Sequence, residues 1–336
     1  MATRLARLVR EVGVIDRALL LLLSKKPASG VALAEQLGVS RSAVWKRIQH
    51  LRANGFEIET KSGQGYFLKY PVEWLDQDRI CHHLDSSAKK QLGDFHIIEQ
   101  IDSSNTWAKT EAKQNPGTDI FLTEQQTAGR GRLGRQWASP MAANIYLSLR
   151  CRFNKGLPAL SGLSLVVGVL IAKTLRAQGF TDVGLKWPND IVTYGNKKCG
   201  GILIEVSGGA NAEISVVIGI GLNVRMPLHS ASTIDQAWTD LQTLAGDRLL
   251  SRNEILGALL NELLPGLQRF EEEGAAAFLS RWTDYDVFLN QGVKLLEGTR
   301  THTGQVLGIT EQGALRLQQD GVERHYHSGE ISLRPL

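Results

Sequence analysis

Three arginines and three glycines alternate within the seven residues of Gly129–Arg135 (GRGRLGR). Glycine lets the backbone approach a ligand closely, and arginine binds phosphate or carboxylate through two parallel hydrogen bonds. No Lys-Ser or Lys-Thr pair follows the glycines as in a Walker loop, and no strand-to-helix crossing surrounds them as in a Rossmann fingerprint. The segment predicts an anion-binding loop, with a basic RGG-type loop that contacts RNA as the alternative.

Three further segments carry groups that could act with this loop. Lys186 ends a predicted strand, and the turn Trp187–Asp190 (WPND) behind it can aim its ammonium group at a ligand. Asp102–Asn105 (DSSN) lies where a strand gives way to a helix, so these residues can cap the helix and leave its first N–H groups for a ligand. Gly219–Asn223 (GIGLN) ends another strand, where the glycines either relieve close packing or make room for a ligand.

Strands and helices are predicted to alternate irregularly around these segments. Because hairpins are mixed with helices, we expect an α+β arrangement with a mixed sheet rather than a doubly wound parallel sheet. The predicted strands are Phe95–Ile101, Ile120–Glu124, Ile145–Cys151, Val183–Lys186, Asp190–Tyr194, Lys198–Val206 and Ile214–Leu222, and the predicted helices are Ser104–Gln114, Leu160–Gln178 and Arg252–Glu273.

The N-terminal 70 residues hold 12 Lys and Arg against 5 Asp and Glu, whereas the remainder is slightly acidic. Helices are predicted at Ile15–Ser24, from Ser29 to Leu37 and at Arg41–Asn54, followed by a hairpin over residues 56–68. This order is typical of a winged helix-turn-helix, which would place its third helix in a DNA major groove. The alternatives are a protein-docking module and a basic helix face that contacts only solvent. The expected DNA contacts are Ser40, Arg41, Ser42, Lys46, Arg47, His50 and Lys61, and Arg52 is expected to be exposed on the same helix.

Short strands separated by glycines close the chain, at Val293–Glu297, Thr303–Gly308, Ala314–Gln318 and Val322–Tyr326. This spacing predicts a small SH3-like barrel. Pro71 begins what we expect to be a polar linker. The predicted domains are therefore 1–70, 71–285 and 286–336.

Composition excludes several classes of protein. With 43% hydrophobic and 21% charged residues, the 336-residue chain has the makeup of a globular protein with a real core. Its three cysteines are too few and too scattered for a disulfide framework or a zinc ribbon, and they favour the cytoplasm. The apolar run Leu19–Leu23 is too short to cross a membrane, so no membrane association is expected.

Taken together, these segments resemble the biotin protein ligases. GRGRLGRQW (129–137) is similar to the family's biotin-binding loop, and KWPND (186–190), GGILIE (200–205) and GIGLN (219–223) match further signatures. Residues 234–238 resemble the loop that closes over the adenylate. With its winged-helix head, the chain resembles the bifunctional type, which is both biotin ligase and biotin operon repressor, over nearly all residues after about 13.

The resemblance implies roles for individual residues. Arg130, Arg132 and Lys186 would be catalytic. The motif often has threonine where Ser104 stands, and basic residues where Leu133 and Gln136 stand. The implied biotin contacts are Ser103, Ser104, Asn105, Gln126, Arg130, Gly131, Arg132, Lys186 and Gly201, and the implied adenylate contacts are Asn189, Asn223 and Trp238.

The resemblance also implies a reaction and partners. Biotin and ATP with Mg²⁺ would give biotinyl-5′-AMP, and biotin would pass to a lysine of the biotin carboxyl carrier protein of acetyl-CoA carboxylase. Biotinyl-AMP would promote a homodimer that binds operator DNA. Two alternatives remain open: a biotin sensor without chemistry, and a related ligase for lipoate.

Overall fold

The basic head consists of three helices and a hairpin, as predicted. The computed structural model describes residues 14–111, 117–207, 214–231, 234–329 and 331–336. The head comprises α1 (Val14–Lys25), α2 (Gly30–Leu37), α3 (Arg41–Ala53), β1 (Ile58–Lys61) and β2 (Gly65–Leu68). Ser29 and Ser40 cap α2 and α3 through their hydroxyl oxygens, and Gly38 takes a left-handed φ of 65° between them. These features confirm the predicted turn and caps.

The segment after Pro71 differs from the predicted polar linker, because it folds onto the central region. Two short helices, α4 (Gln77–His82) and α5 (Ser86–Gln91), pack against a long C-terminal helix. Glu73 accepts hydrogen bonds from Ser251 Oγ at 2.7 Å and from the backbone N–H of Arg252 at 2.5 Å. Helices of six residues are too short to show a helical hydrophobic period, so sequence periodicity did not reveal them.

A seven-stranded mixed sheet forms the centre, with strand order β3-β4-β5-β9-β8-β7-β6. The β3–β4 pair is parallel and every other pair is antiparallel, which confirms the predicted mixed sheet. Its strands are β3 (Leu92–Ile101), β4 (Thr118–Gln126), β5 (Ile145–Phe153), β6 (Val183–Lys186), β7 (Asp190–Thr193), β8 (Lys198–Ser207) and β9 (Ile214–Leu222).

Two predicted helices have different bounds in the structure. The helix after Ser103 ends at Thr110, since Glu111 is extended, and the predicted end at Gln114 lies outside the described residues. Arg150 Nη1 donates to the carbonyl oxygens of Ala108 and Glu111 at 3.1 and 2.5 Å. The helix predicted from Leu160 starts at Leu163, after Gly162 with φ 79°. The helices are α6 (Ser104–Thr110), α7 (Leu163–Ala177), α8 (Leu228–Ala231), α9 (Leu241–Ala245), α10 (Arg252–Glu273) and α11 (Ala276–Leu279), with 3₁₀ turns at Arg132–Gly134, Leu157–Leu160 and Trp282–Asp284.

The segment Leu157–Ala177, with mean hydropathy 1.7, is long and apolar enough to cross a membrane by length and composition alone. In the fold, α7 packs against α10, the sheet and α11. Eleven of its fifteen residues are buried, including Val166, Ile171 and Leu175. The apolar stretch is therefore explained by its place in the hydrophobic core.

Five antiparallel strands form the C-terminal region, in the order β13-β12-β11-β10-β14. They are β10 (Gly292–Glu297), β11 (Arg300–Ile309), β12 (Leu315–Gln319), β13 (Val322–Tyr326) and β14 (Ile331–Pro335). The sequence did not predict β14. Apolar residues of this sheet, among them Val293 and Leu333, belong to the same core as the central sheet. The C-terminal strands are therefore packed directly on the region that carries the predicted site.

Candidate active site

Residues from all four chemistry-bearing segments line one open cavity of about 1070 Å³. Ten of the twelve side chains or glycines predicted to contact biotin or adenylate lie in its wall. They are Ser103, Ser104, Asn105, Gln126, Arg130, Gly131, Arg132, Lys186, Asn189 and Gly201. β14 adds Arg334 from the C-terminal region. Elements far apart in the chain thus meet at one site, as expected for a ligand-binding cleft.

One end of the cavity is lined by neutral polar side chains from the start of α6, which are buried, and from the end of β4. Gln126 Oε1 accepts hydrogen bonds from Ser104 N at 2.9 Å and Ser104 Oγ at 3.1 Å, while Gln126 Nε2 donates to Ser139 Oγ at 3.0 Å. Asn105 accepts from Ser148 Oγ at 2.6 Å. Because these groups hold each other in place, this end is preorganised before a ligand arrives.

The glycines of the GIGLN segment make room for this arrangement. A Cβ at Gly219 would overlap the Asn105 amide, and a Cβ at Gly221 would overlap the Trp137 indole. At Gly201, a Cβ would lie 3.5 Å from the same indole. The sequence left open whether the strand-end glycines relieve packing or admit a ligand. In the structure, the missing Cβ atoms of Gly219 and Gly221 leave room for the side chains of Asn105 and Trp137, which line the cavity.

The arginine loop connects three parts of the molecule. Arg130 Nη2 donates to Thr106 Oγ1 at 3.0 Å. Arg132 donates to Asn189 Oδ1 at 3.1 Å and to the Gly329 carbonyl at 2.6 Å, so it ties the loop to the WPND turn and to the C-terminal region. Burial lowers the pKa of Arg132, although Asp190 opposes this effect. The guanidinium remains charged at neutral pH.

Lys186 is a buried cation without a counter-ion in direct contact. Only 7% of the residue is exposed, and its ammonium lies 5.6 Å from the Phe288 ring centroid. Within the described ranges, the ammonium has no hydrogen bond or ion pair. Burial lowers the pKa of Lys186 to about 8, with Asp190 raising it and Arg334 lowering it further. This side chain can therefore bind an incoming anion without first breaking an existing pair.

Lys198 is a cavity residue that sequence reasoning missed. Its ammonium lies 2.5 Å from Asp190 Oδ1 and 5.5 Å from the Trp137 ring centroid. In the sequence it looks like one of two lysines in a solvated hairpin turn. Its position two residues before GGILIE, at the start of a strand, was the available signal. Lys198 therefore engages the carboxylate of Asp190, the last residue of the WPND turn.

Two residues predicted to contact adenylate lie outside the cavity wall. Asn223 is buried, and its Nδ2 donates to the Thr239 carbonyl at 3.1 Å. Trp238 is half-buried and lies beside Lys198 in a backbone bridge. The neighbouring residues 234–236 do line the cavity. Contact of Trp238 with an adenine remains a prediction.

The winged helix presents only part of the predicted cationic surface. Arg41, Ser42, Lys46, His50 and Lys61 are exposed, and Ser40 is exposed while capping α3. Arg52 is not the free cation expected from the sequence, because it donates to the Ile58 carbonyl at 2.7 Å and to Thr60 Oγ1 at 2.9 Å in the wing.

Arg47 is similarly constrained, at 3.2 Å from the buried carboxylate of Asp16. Its predicted contact with DNA therefore competes with a structural ion pair. Trp45, 54% exposed on the same helix, was missed because aromatic residues usually indicate core.

The fold and the site together are those of an enzyme domain with a binding cavity for an anionic ligand, joined to a helix-turn-helix domain. Three family models match the chain: an HTH domain over 16–67, the Biotin/lipoate A/B protein ligase family over 97–223, and the Biotin protein ligase C terminal domain over 288–334.

Individual proteins agree with these matches. The bifunctional ligase/repressor BirA of Salmonella typhimurium is 42% identical over 91% of this chain and 93% of its own length, and that of Bacillus spizizenii is 31% identical over 91% and 93%. The biotin protein ligase of Aquifex aeolicus, solved in complex with biotin and ATP, is 28% identical, with a TM-score of 0.62 over 72% of this chain and 99% of that one. The chain belongs to the family of bifunctional biotin ligase/repressors.

Proposed function

We propose that this chain is a biotin protein ligase. It forms biotinyl-5′-AMP from biotin and ATP and transfers biotin to a lysine of the biotin carboxyl carrier protein of acetyl-CoA carboxylase. The observation that carries this proposal is that the cavity has a neutral end around Ser104, with Arg130 beside it, and a cationic end around Lys186 and Arg132. Six Lys and Arg residues line the cavity against two carboxylates, Asp190 and Asp235. The neutral end suits an uncharged heterocycle, and the cationic end suits a carboxylate and a triphosphate.

The first half-reaction brings two anions together. The biotin carboxylate attacks the α-phosphate of ATP, and pyrophosphate leaves. Arg130, Arg132 and Lys186 reduce the repulsion between the reactants and stabilise the charge on the five-coordinate phosphorus. No enzyme nucleophile is needed, because the substrate carboxylate is itself the nucleophile.

Mg²⁺ would enter with ATP and neutralise the leaving pyrophosphate. Magnesium is usually held by one or two carboxylates together with substrate phosphates. Asp190 and Asp235 are the cavity carboxylates that fit this requirement. Among the described residues, no group of three or more His, Cys, Asp or Glu side chains forms a metal site within the protein itself. The donor set therefore fits a metal that arrives on the nucleotide.

The second half-reaction requires protection of the adenylate. A mixed anhydride hydrolyses readily, so the arginine loop must exclude water until the carrier lysine arrives. Arg132 fits this task, because it ties the loop to Asn189 and to the Gly329 carbonyl. The carrier lysine has a solution pKa of about 10.4 and must be deprotonated to attack.

The winged helix supports a second activity, repression of the biotin operon in the cytoplasm with biotinyl-AMP as corepressor. Two winged helices in a homodimer would bind a two-fold operator. A physical connection to the ligand site exists through β4. Glu124 accepts from the backbone N–H of Leu75 at 2.6 Å in the segment behind the head, and Gln126 lies two residues further along the same strand.

Two measurements test these activities. Incubation with biotin and Mg-ATP, followed by mass spectrometry, should yield biotinyl-AMP and pyrophosphate. Binding of biotin without adenylate would favour the sensor, and binding of lipoate alone would favour the lipoate ligase. For repression, operator affinity should rise when biotinyl-AMP is added, because the adenylate would promote the homodimer that binds DNA. The two ligands then strengthen each other's binding by the same factor. Equal operator affinity with and without the adenylate would refute that coupling.

A further inference from the structure

Trp45 is a large apolar residue of α3 that lies outside the core of the winged helix. It is 54% exposed, whereas its neighbours Val44 and Ile48 are 1% and 0% exposed. A single exposed apolar side chain is common on protein surfaces and needs no functional explanation. The position of Trp45 on the helix, and the charges around it, are what distinguish it from such a residue.

Trp45 lies in the middle of the outward face of α3. The inward face is formed by Val44, Ile48 and Leu51, which are buried in the head. Residues three and four positions apart share one face of a helix. The opposite face therefore carries a row of four residues, Ser42, Trp45, Lys46 and Gln49, of which the first three are exposed. Trp45 is the fifth residue of α3, and the N-terminal turns of a recognition helix are those that contact base edges.

The charges around this row favour a polyanion as its partner. Arg41, Lys46 and His50 are exposed on α3, and Lys61 is exposed in the wing. The helix contains no acidic residue. In a DNA groove the phosphates run along both sides and the base edges lie between them. A helix with cations beside an apolar centre matches that arrangement, so Trp45 would face the bases while the cations face the backbone.

The chemistry of the indole limits what it can recognise. Tryptophan has one N–H donor and no hydrogen-bond acceptor. It therefore cannot pair with the amino groups that adenine and cytosine present in the major groove. The apolar group on the base edges of that groove is the C5-methyl of thymine. Contact between the indole and this methyl would remove apolar surface of both from water, which is favourable.

We propose that Trp45 is a specificity-determining residue that selects thymine in the operator by contacting its C5-methyl group in the major groove. The inference rests on the proposed repression, because it concerns the same DNA-binding surface. It adds a preference for one base to a helix whose cations attract the phosphates of any sequence.

The test begins with a probe selected by the protein itself. The full chain, with biotinyl-AMP, selects duplexes from a random-sequence library, and the most enriched duplex becomes the probe. Each thymine is then replaced in turn by deoxyuridine, which removes the methyl group and leaves base pairing intact. At one thymine or more, the replacement should weaken binding about fourfold, the contribution of one buried methyl group. Fluorescence anisotropy measures these affinities.

Trp45→Ala should weaken binding of the probe at least about tenfold, a typical cost of one mismatched base pair. It should also abolish the difference between thymine and deoxyuridine. The salt dependence of its affinity should not change, because no phosphate contact is lost. Urea unfolding should match that of the unmodified protein, because the side chain lies outside the core.

Two further variants separate the apolar contact from the charge. Trp45→Phe keeps an aromatic ring and should still distinguish thymine from deoxyuridine. Lys46→Ala, on the same row, should reduce the salt dependence of the affinity while keeping the preference for thymine. A preference lost equally in Trp45→Ala and Lys46→Ala would contradict the assignment to the indole.

Failure of the proposed function and failure of this inference give different results. If the unmodified protein enriches no duplex, with or without biotinyl-AMP, the proposed repression is refuted and this inference with it. If it enriches a duplex and no deoxyuridine replacement weakens binding, the inference alone is wrong. A Trp45→Ala variant that still distinguishes the two bases would also overturn it. So would reduced self-association with an unchanged preference for thymine, which would make Trp45 a contact between copies of the chain.

Discussion

The two ends of the cavity differ in whether their buried polar groups have partners within the protein. At the neutral end, Ser104, Asn105 and Gln126 are each hydrogen-bonded to other side chains. At the cationic end, Lys186 is equally buried but faces an aromatic ring instead of a counter-ion. A satisfied network stabilises the fold, whereas an uncompensated charge costs stability until an anion enters. The comparison indicates that the neutral end recognises a ligand and the cationic end gains its favourable energy when the reactants bind.

Lys186→Ala should give the largest effect and tests the cationic end. Loss of one preorganised charge at the reacting phosphate should lower the rate of biotinyl-AMP synthesis by about 10³-fold. Biotin binding in the absence of ATP should change much less, because the neutral end is intact. Pyrophosphate release and calorimetric titration measure the two quantities. Lys173→Ala is the control, because that lysine is exposed and paired with Glu262. Normal adenylate synthesis by Lys186→Ala would remove Lys186 from the mechanism.

The same lysine should reduce stability at neutral pH. Its pKa falls from 10.5 to about 8 on folding, mainly through burial. Between these values the unfolded chain binds more protons than the folded one, so stability rises with pH across that window. Below pH 8 the full penalty applies, and it amounts to about 3 kcal/mol.

Lys186→Met should therefore be more stable than the unmodified protein at pH 7, and the difference should shrink as the pH rises from 8 to 10.5. Urea unfolding of the ligand-free protein at several pH values measures this. A variant that is less stable than the unmodified protein at pH 7 would contradict the proposed cost of burying Lys186.

Arg132→Gly tests how the arginine loop is anchored. This arginine ties the loop to Asn189 and to the Gly329 carbonyl, so its loss should free the loop. The adenylate should be released at least about tenfold faster, because even one charge-assisted hydrogen bond contributes that much. Released adenylate should label lysines of unrelated proteins, which mass spectrometry of a protein mixture would detect. Arg135→Gly is the matched control, because it removes a charge from the same loop without that bridge. Labelling confined to the carrier protein would refute the shielding role.

Sequence patterns predicted the central sheet and most of the cavity wall because each depends on local signals. Alternating apolar residues predicted the strands of the sheet, and dense glycine and arginine marked the loop. Lys198 was missed because its role depends on the partner that the hairpin brings to it, Asp190, at 2.5 Å. Glu205 was identified only as part of a motif, because its hydrogen bond with Asn105 joins residues that are 100 positions apart in the chain. Contacts between distant segments leave no periodic trace in a sequence.

The winged helix also contains both an exposed cation and a cation in an ion pair. Substitutions there should change function least. Lys46 is exposed, whereas Arg47 pairs with the buried Asp16. Lys46→Ala should weaken operator binding a few-fold, reduce the salt dependence of the affinity by about one phosphate contact and leave stability unchanged. Arg47→Ala should lower the free energy of unfolding by about 1–3 kcal/mol, because a buried carboxylate loses its partner. Fluorescence anisotropy at several salt concentrations and urea unfolding separate the two variants. If Lys46→Ala lost stability while Arg47→Ala lost only operator affinity, the assignment of structural and DNA-facing charges on α3 would have to be exchanged.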